Sequence, residues 1–211
     1  MTPPPLPHDP FNLIITGVGG QGNVLGSRLV GNMLSNQGFT ITIGETFGAS
    51  QRGGSVMSHM RISAHGNYSP QIPKGQAHMV VALEPLEAIR VLATYGNPDV
   101  CTVVNTRALH PASVIAGTVS YPKVDDIIAW TKELSSKAWF MDATEDALNL
   151  GNAIFANIIM AGALAGTGML PLTRNDFDAV IDRQFTPDKA EINKTAFDMG
   201  FRMTASKSNF S

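Results

Sequence analysis

Phe11-Asn-Leu-Ile-Ile-Thr-Gly-Val-Gly-Gly-Gln-Gly22 is the stretch that decides the fold. Residues 11–18 form an apolar, β-favouring run. Glycines follow at once. From Gln21 to Asn36, Leu25, Leu29, Val30, Met33 and Leu34 recur at helical spacing and predict one buried face. Gly38 is placed to stop that helix. A strand, a glycine turn and a helix in succession give Gly17-x-Gly19-x-x-Gly22 its physical meaning. Glycine allows a sharp turn and a close backbone approach, and the helix N-terminus offers free N–H groups and positive dipole to an anion such as pyrophosphate. Arg28 follows in the second helical turn as a counter-charge for a phosphate. The same pattern also serves as a packing turn with no ligand.

Downstream, Phe39–Gly44 alternates apolar residues with threonines and predicts a second strand. Glu45 stands at its end, where a dinucleotide site wants a carboxylate for the ribose hydroxyls. The glycine loop and Glu45 alone therefore suggest an NAD-dependent dehydrogenase. Residues 45–54 read as a loop, and Glu45-Thr-Phe-Gly-Ala-Ser-Gln-Arg-Gly-Gly-Ser55 packs a carboxylate, an amide, a guanidinium and hydroxyls between glycines. Arg52 there is suited to grip a carboxylate or phosphate through paired hydrogen bonds.

Further strands are predicted at 56–62, 78–83, 100–105 and 138–141, with helices at 84–95 and 125–136. In the second of these helices, Ile127, Ile128, Trp130 and Leu134 are available to a core. Beyond residue 143 the chain reads as mainly helical, over 143–149, 152–168, 173–184 and 187–200. Alternating strands and helices predict an α/β, Rossmann-like domain: a mostly parallel sheet with helices on both faces, then a helical C-terminal region. Residues 1–10, with prolines at 3, 4, 5, 7 and 10, read as a flexible Pro-rich arm, and 11–211 as a single domain.

Composition narrows the function. Only 15% of residues are charged, against about 25% in ordinary domains, which suggests surface covered by partner subunits. With a net charge of −2 and no basic run, the chain gives no support for nucleic-acid binding. Cys101, the single cysteine, lies in an apolar run and reads as a buried thiol. One cysteine cannot hold an iron–sulfur cluster, which takes about four ligands. The apolar stretch 153–170 carries Asn157, Thr167 and three glycines, so a buried helix is preferred to a membrane span. The N-terminus lacks the features of a signal peptide, and the cytoplasm is the expected location.

Several residues have plainer readings. His59 is a candidate proton donor but suits a packed strand histidine better, and the other histidines lack metal-ligand spacing, so no metal is expected. Ser50 and Ser55 have no nucleophile–base arrangement. Glu84 and Glu87, like Asp125 and Asp126, suit helix starts. Met57, Met60, Met160 and Met169 suit core packing. Gly162 and Gly166 permit a close helix contact, within the core or at a subunit interface.

Four segments together carry a resemblance: Gly17–Gly22, Glu45–Ser55, Ser58-His-Met-Arg-Ile62 and Leu83-Glu-Pro-Leu-Glu-Ala88. In order and spacing they resemble the gamma component of pyruvate/2-oxoacid:ferredoxin oxidoreductases, above all the branch with the beta subunits of indolepyruvate ferredoxin oxidoreductases. The resemblance covers about residues 12 to 165 and is most specific at Ser50-Gln-Arg-Gly-Gly54. It implies a division of labour. Thiamine diphosphate, Mg²⁺ and the iron–sulfur clusters would sit on a larger partner subunit, which decarboxylates the 2-oxoacid and passes electrons to ferredoxin or another acceptor. This chain would cover the active site and help bind coenzyme A, the acyl acceptor. Residue by residue, Gly17, Gly19, Gly20, Gln21 and Gly22 with Arg28 would face the coenzyme A pyrophosphate. Gln51 and Arg52 would face the active-site cavity or the catalytic subunit, with Ser50 and Gly53 of the same element also among the cofactor-binding residues.

Overall fold

The computed structural model describes residues 2–48, 54–110 and 112–205. Six strands form one sheet: β1 (Phe11–Val18), β2 (Thr40–Phe47), β3 (Ser55–Ser63), β4 (Met79–Ala82), β5 (Cys101–Asn105) and β6 (Lys137–Met141). Their order across the sheet is β2-β3-β1-β4-β5-β6. The helices are α1 (Asn23–Asn36), α2 (Pro85–Tyr95), α3 (Ala112–Ile115), α4 (Val124–Glu133), α5 (Ala143–Asn149), α6 (Ala156–Gly166), α7 (Arg174–Gln184) and α8 (Pro187–Ala205).

The sheet is mixed rather than mostly parallel. β1, β4, β5 and β6 pair in parallel, whereas β3 runs antiparallel between β1 and β2. The physical reason is the short 48–54 connection. A parallel crossover takes about a dozen residues or more, so this segment can join only antiparallel neighbours. Glu45, Thr46 and Phe47, expected in a loop, extend β2 to the same end as the glycine turn, where Phe47 pairs with Val56.

Alternate strand residues feed cores on both faces. Leu13, Ile15, Met79 and Val81 face α1 and the C-terminal helices, while Ile14 and Val80 face α2 through Val91, Leu92 and Tyr95. Helix α6 is apolar nearly all round because α8 covers the side turned away from the sheet; of its residues only Ile158 escapes full burial. A Cβ at Gly162 would overlap the carbonyl oxygen of Phe197, one at Gly166 that of Phe201, and one at Gly200 that of Ile159. The glycine pair of α6 thus makes an intrachain helix contact. No helix among the described residues is long and apolar enough to cross a membrane.

Three side chains depart from the helical-face expectation. Leu25 is 60% exposed, and Trp130 on α4 and Leu134 at its C-cap are exposed too; within α4 only Ile127 and Thr131 are buried. Cys101, Met60 and Met160 are buried as expected. In the proline-rich start, Leu6 packs on the main core, the His8 ring stacks on His78 at 4.1 Å, and Asp9 accepts from the Ala64 N–H.

Candidate functional site

The turn after β1 is held from within. Gln21 folds back so that its Oε1 accepts from the Val18 N–H (2.8 Å), while its Nε2 donates to the Leu83 carbonyl at the end of β4 (2.7 Å). Asn105 at the end of β5 donates to the same carbonyl (3.0 Å) and to Thr144 Oγ1. A Cβ on Gly17 would stand 2.5 Å from Gln21 Oε1 and 2.7 Å from Asn23 Oδ1, so a side chain there would push the Gln21 amide out of its fastening. The Gly19 N–H donates to the Gly54 carbonyl (2.9 Å) and so ties the turn to the entry of β3. Gln21, expected to face a ligand, is therefore a fastening of the turn through its side chain.

The exit of the turn is the N-terminus of α1. Gly22 is the N-cap residue in the left-handed region (φ 81°), and no side chain caps the helix. The first turn carries no acidic residue. Among the described residues, the N–H groups of Gly20, Gly22, Asn23, Val24 and Leu25 have no hydrogen-bond acceptor. Free amides and uncompensated positive dipole are the physical requirements of an anion site.

Three clefts meet around this helix start. One of about 540 Å³ lies toward β2 and β3, lined by Gly19, Gly20, Gly22, Phe47, Ser55 and Val56 among others. A second, of about 450 Å³, lies toward β4 and β5 and is lined by Gly19, Gly20, Gln21, Leu83, Leu109 and Thr144 with residues 152–154 and Ala156. The third, of about 360 Å³, runs along α1 and is mostly apolar. Arg28 lines this third cleft beside Leu25, Asn32, Phe185 and Asn193, not the two at the glycine turn. Ile154 borders all three. It is placed by a 3-10 turn, Ala153–Phe155, that interrupts the expected 152–168 helix and is capped by Asn152.

Glu45 is exposed on the edge strand β2 and lines none of these clefts. The dinucleotide geometry needs the acidic residue on the strand next to β1, a place that β3 takes. Glu45 therefore stands two strand spacings away, about 10 Å. The case for an NAD site from Gly17–Gly22 with Glu45 falls on this point. Ser50, Gln51, Arg52 and Gly53 lie outside the described residues.

His59 is 2% exposed, sets its ring edge-on to Tyr95 and accepts from the Ile72 N–H, and burial pushes its pKa down. It is a packed, neutral histidine. Glu84 caps α2 as expected by accepting from the Glu87 N–H. Glu87 does more than favour the helix dipole. Its carboxylate accepts from the Ser55 hydroxyl at 2.6 Å and pairs with Arg90 at 3.1 Å, while burial holds its pKa up. Asn157, 135 positions after Gly22, reaches the same turn and would be overlapped by a Cβ on Gly22. Leu109, Asn157 and Ile154 gave no sequence signal, because only the tertiary fold brings them to the turn.

Comparison with known proteins bears on the fold and the family. The chain is 33% identical over 196 residues to the indolepyruvate oxidoreductase subunit IorB of Archaeoglobus fulgidus, covering 93% of this chain and 96% of that one. Among solved structures it is similar to the keto/oxoacid ferredoxin oxidoreductase gamma subunit of Geobacter sulfurreducens, with a TM-score of 0.65, 20% identity, and 93% and 99% of the two chains covered. It is also similar to the 2-oxoglutarate:ferredoxin oxidoreductase of Magnetococcus marinus, solved with 2-oxoglutarate, coenzyme A and succinyl-CoA bound. There the TM-score is 0.72 at 16% identity, over 94% of this chain and 32% of that one. The family model for pyruvate ferredoxin/flavodoxin oxidoreductase matches residues 12–203, taking in α7 and most of α8 beyond the sequence motifs. On that match, this chain belongs to the pyruvate ferredoxin/flavodoxin oxidoreductase family.

Proposed function

We propose that this chain is the gamma-type subunit of a thiamine-diphosphate-dependent oxidoreductase for aryl-pyruvates such as indolepyruvate. In this role it covers an active site carried on a larger partner and receives the pyrophosphate of coenzyme A at the start of α1. The observation that carries the second part is the set of N–H groups, those of Gly20 and of Gly22 to Leu25, that have no acceptor among the described residues and stand at the mouth of two clefts. A helix start of this kind favours an anion by about 0.3–1 kcal/mol from the dipole alone, with the amide hydrogen bonds in addition. The residues fit the group: glycines allow close backbone approach, and no carboxylate stands in the first turn to repel it. Coenzyme A supplies the thiol that accepts the acyl group. Arg28, one cleft away past Leu25 and Ile154, would meet a second anionic part of the same ligand.

Thiamine diphosphate, Mg²⁺ and the iron–sulfur clusters belong, on this reading, to the partner; for the clusters the reason is that a single cysteine cannot supply their ligands. Electrons would leave through that partner to ferredoxin or another carrier, and the complex would work in the cytoplasm.

Purification of the native protein tests the assembly. A larger subunit containing thiamine and iron should accompany it. A chain that runs alone removes the proposal. A thiamine-dependent dye-reduction assay with indolepyruvate, phenylpyruvate and pyruvate then ranks the substrates, and the aryl-pyruvates should lead. Equal or better turnover of pyruvate counts against them.

A further inference from the structure

The first turn of α2 carries two carboxylates turned inward. Glu84 is 2% exposed and Glu87 4%. Glutamates are almost never this buried unless paired, because removing a carboxylate from water is costly. Each is satisfied by a different wall of the clefts at the glycine turn. Glu84 Oε1 accepts from the Tyr121 hydroxyl and from the Leu109 N–H (3.4 Å), and Leu109 lines the cleft on the β4 side. Glu87 Oε2 accepts from the Ser55 hydroxyl, and Ser55 lines the cleft on the β3 side. The residue before them, Leu83, receives the side chain of Gln21 on its carbonyl. Residues 83–87 thus hold the glycine turn, the entry to β3, Leu109 and Tyr121 in one frame.

We infer that Glu84 and Glu87 are positioning residues for the ligand of the glycine turn: the first turn of α2 sets the spacing of the two walls that flank the free amides. Helix capping alone does not account for the arrangement, because Glu84 Oε2 already caps α2. The other three carboxylate oxygens are directed at Tyr121 and Leu109, at Ser55, and at Arg90. Stability alone does not call for the buried Glu87–Arg90 pair either, since well-packed apolar residues often replace a buried ion pair without loss. The link from Glu87 to the turn is short: Ser55 follows Gly54, whose carbonyl accepts from the Gly19 N–H. This inference rests on the assignment of an anionic ligand to the turn.

The test uses the intact complex with Glu87→Ala, Glu87→Gln, Ser55→Ala and the Ser55→Ala/Glu87→Ala double variant. Steady-state kinetics give the KM for coenzyme A and kcat. Hydrogen exchange of residues 17–25 is followed with and without coenzyme A. Glu87→Ala and Ser55→Ala should each raise the KM about 5-fold, the equivalent of one hydrogen bond, with kcat little changed. Glu87→Gln, which still accepts from Ser55, should restore most of the loss. The double variant should be no worse than Glu87→Ala. The Gly19 amide should exchange faster in Glu87→Ala even without coenzyme A. An unchanged KM with unchanged Gly19 exchange overturns the inference, as does a Gln variant as impaired as the Ala variant. If coenzyme A fails to protect residues 20–25 of the wild-type complex, the ligand assignment fails. Faster Gly19 exchange in Glu87→Ala would then still uphold the frame.

Discussion

The side-chain amide of Gln21 donates to the main-chain carbonyl of Leu83 across 2.7 Å and fastens the turn after β1 to the end of β4. Gln21→Glu exchanges that donor for a carboxylate oxygen facing a carbonyl, and it places negative charge beside the anion site. Affinity for coenzyme A should fall about 10-fold or more, while circular dichroism stays native. Isothermal titration of the complex checks this, and an unchanged affinity would show that the fastening is dispensable.

Gly20 and Gly22 both have positive φ, 102° and 81°, but different surroundings. A Cβ at Gly20 meets none of the described residues within 4 Å, whereas one at Gly22 overlaps the Asn157 amide. Gly20→Ala should cost only the left-handed backbone penalty, about 1–2 kcal/mol. Gly22→Ala should cost more and should also displace Asn157. Thermal unfolding separates the two, and Gly22→Ala in an Asn157→Ala background should recover part of the difference.

Helix α6 tolerates little at Gly162. Gly162→Ala should destabilise the chain by about 3 kcal/mol, because the obstacle is the backbone of α8 and cannot swing aside. Gly26→Ala on α1 is the control. Its Cβ meets nothing nearer than 3.9 Å, so the change should be neutral or gain about 0.5–1 kcal/mol. Denaturant titrations of both variants give the comparison.

Acid should weaken the N-terminal end of the sheet. Burial, then the charges of His8 and Arg61, lower His78 from 6.5 to about 4. Between those values the unfolded chain takes up a proton that the native chain refuses. The contribution of this group to stability is therefore present above about pH 6.5 and lost as pH falls toward 4. His78 Nδ1 accepts from the Asn12 N–H. His78→Asn keeps an acceptor without a titrating ring, so it should flatten the decline in melting temperature over that range. A slope equal to the wild type would assign the decline elsewhere.

Two arginines test the ligand side. Arg28→Ala should raise the KM for coenzyme A about 5-fold without altering assembly, the loss expected for one charge-assisted hydrogen bond at an exposed site. Arg52→Ala should impair assembly or turnover, read by size-exclusion chromatography and dye reduction. A fully active complex removes its assigned role.

Most of the element order was legible in the sequence because each element carries its own local signal. Helical spacing with Gly38 marks α1, and apolar runs mark β4 and β5. Sheet order is a different matter. Nothing local in residues 55–63 states that they pair with both Phe11–Val18 and Thr40–Phe47, and the mostly parallel expectation missed it. Helix faces were read too generously at Leu25, Trp130 and Leu134, since periodicity places residues around an axis but does not say how much of the circumference a neighbour covers. At the candidate site the glycines were visible and their companions were not. Asn157, Leu109 and Tyr121 reach the turn or its walls from distant parts of the chain, and such convergence leaves no mark on spacing.

The reversed strand β3 has a consequence for how such a chain can change. In a run of parallel strands, whatever leaves the ligand end must travel back by a helix, and its length is fixed by the breadth of the sheet. Here the 48–54 segment leaves and re-enters at one end, between Phe47 and Ser55, whose strands are already zipped from Thr40 to Ser63. Residues can be added or removed there without shifting the register of any strand. The body of the domain is thus mechanically independent of that margin, so the Ser50–Gly54 signature beside the free amides answers to what it meets and not to what the fold needs.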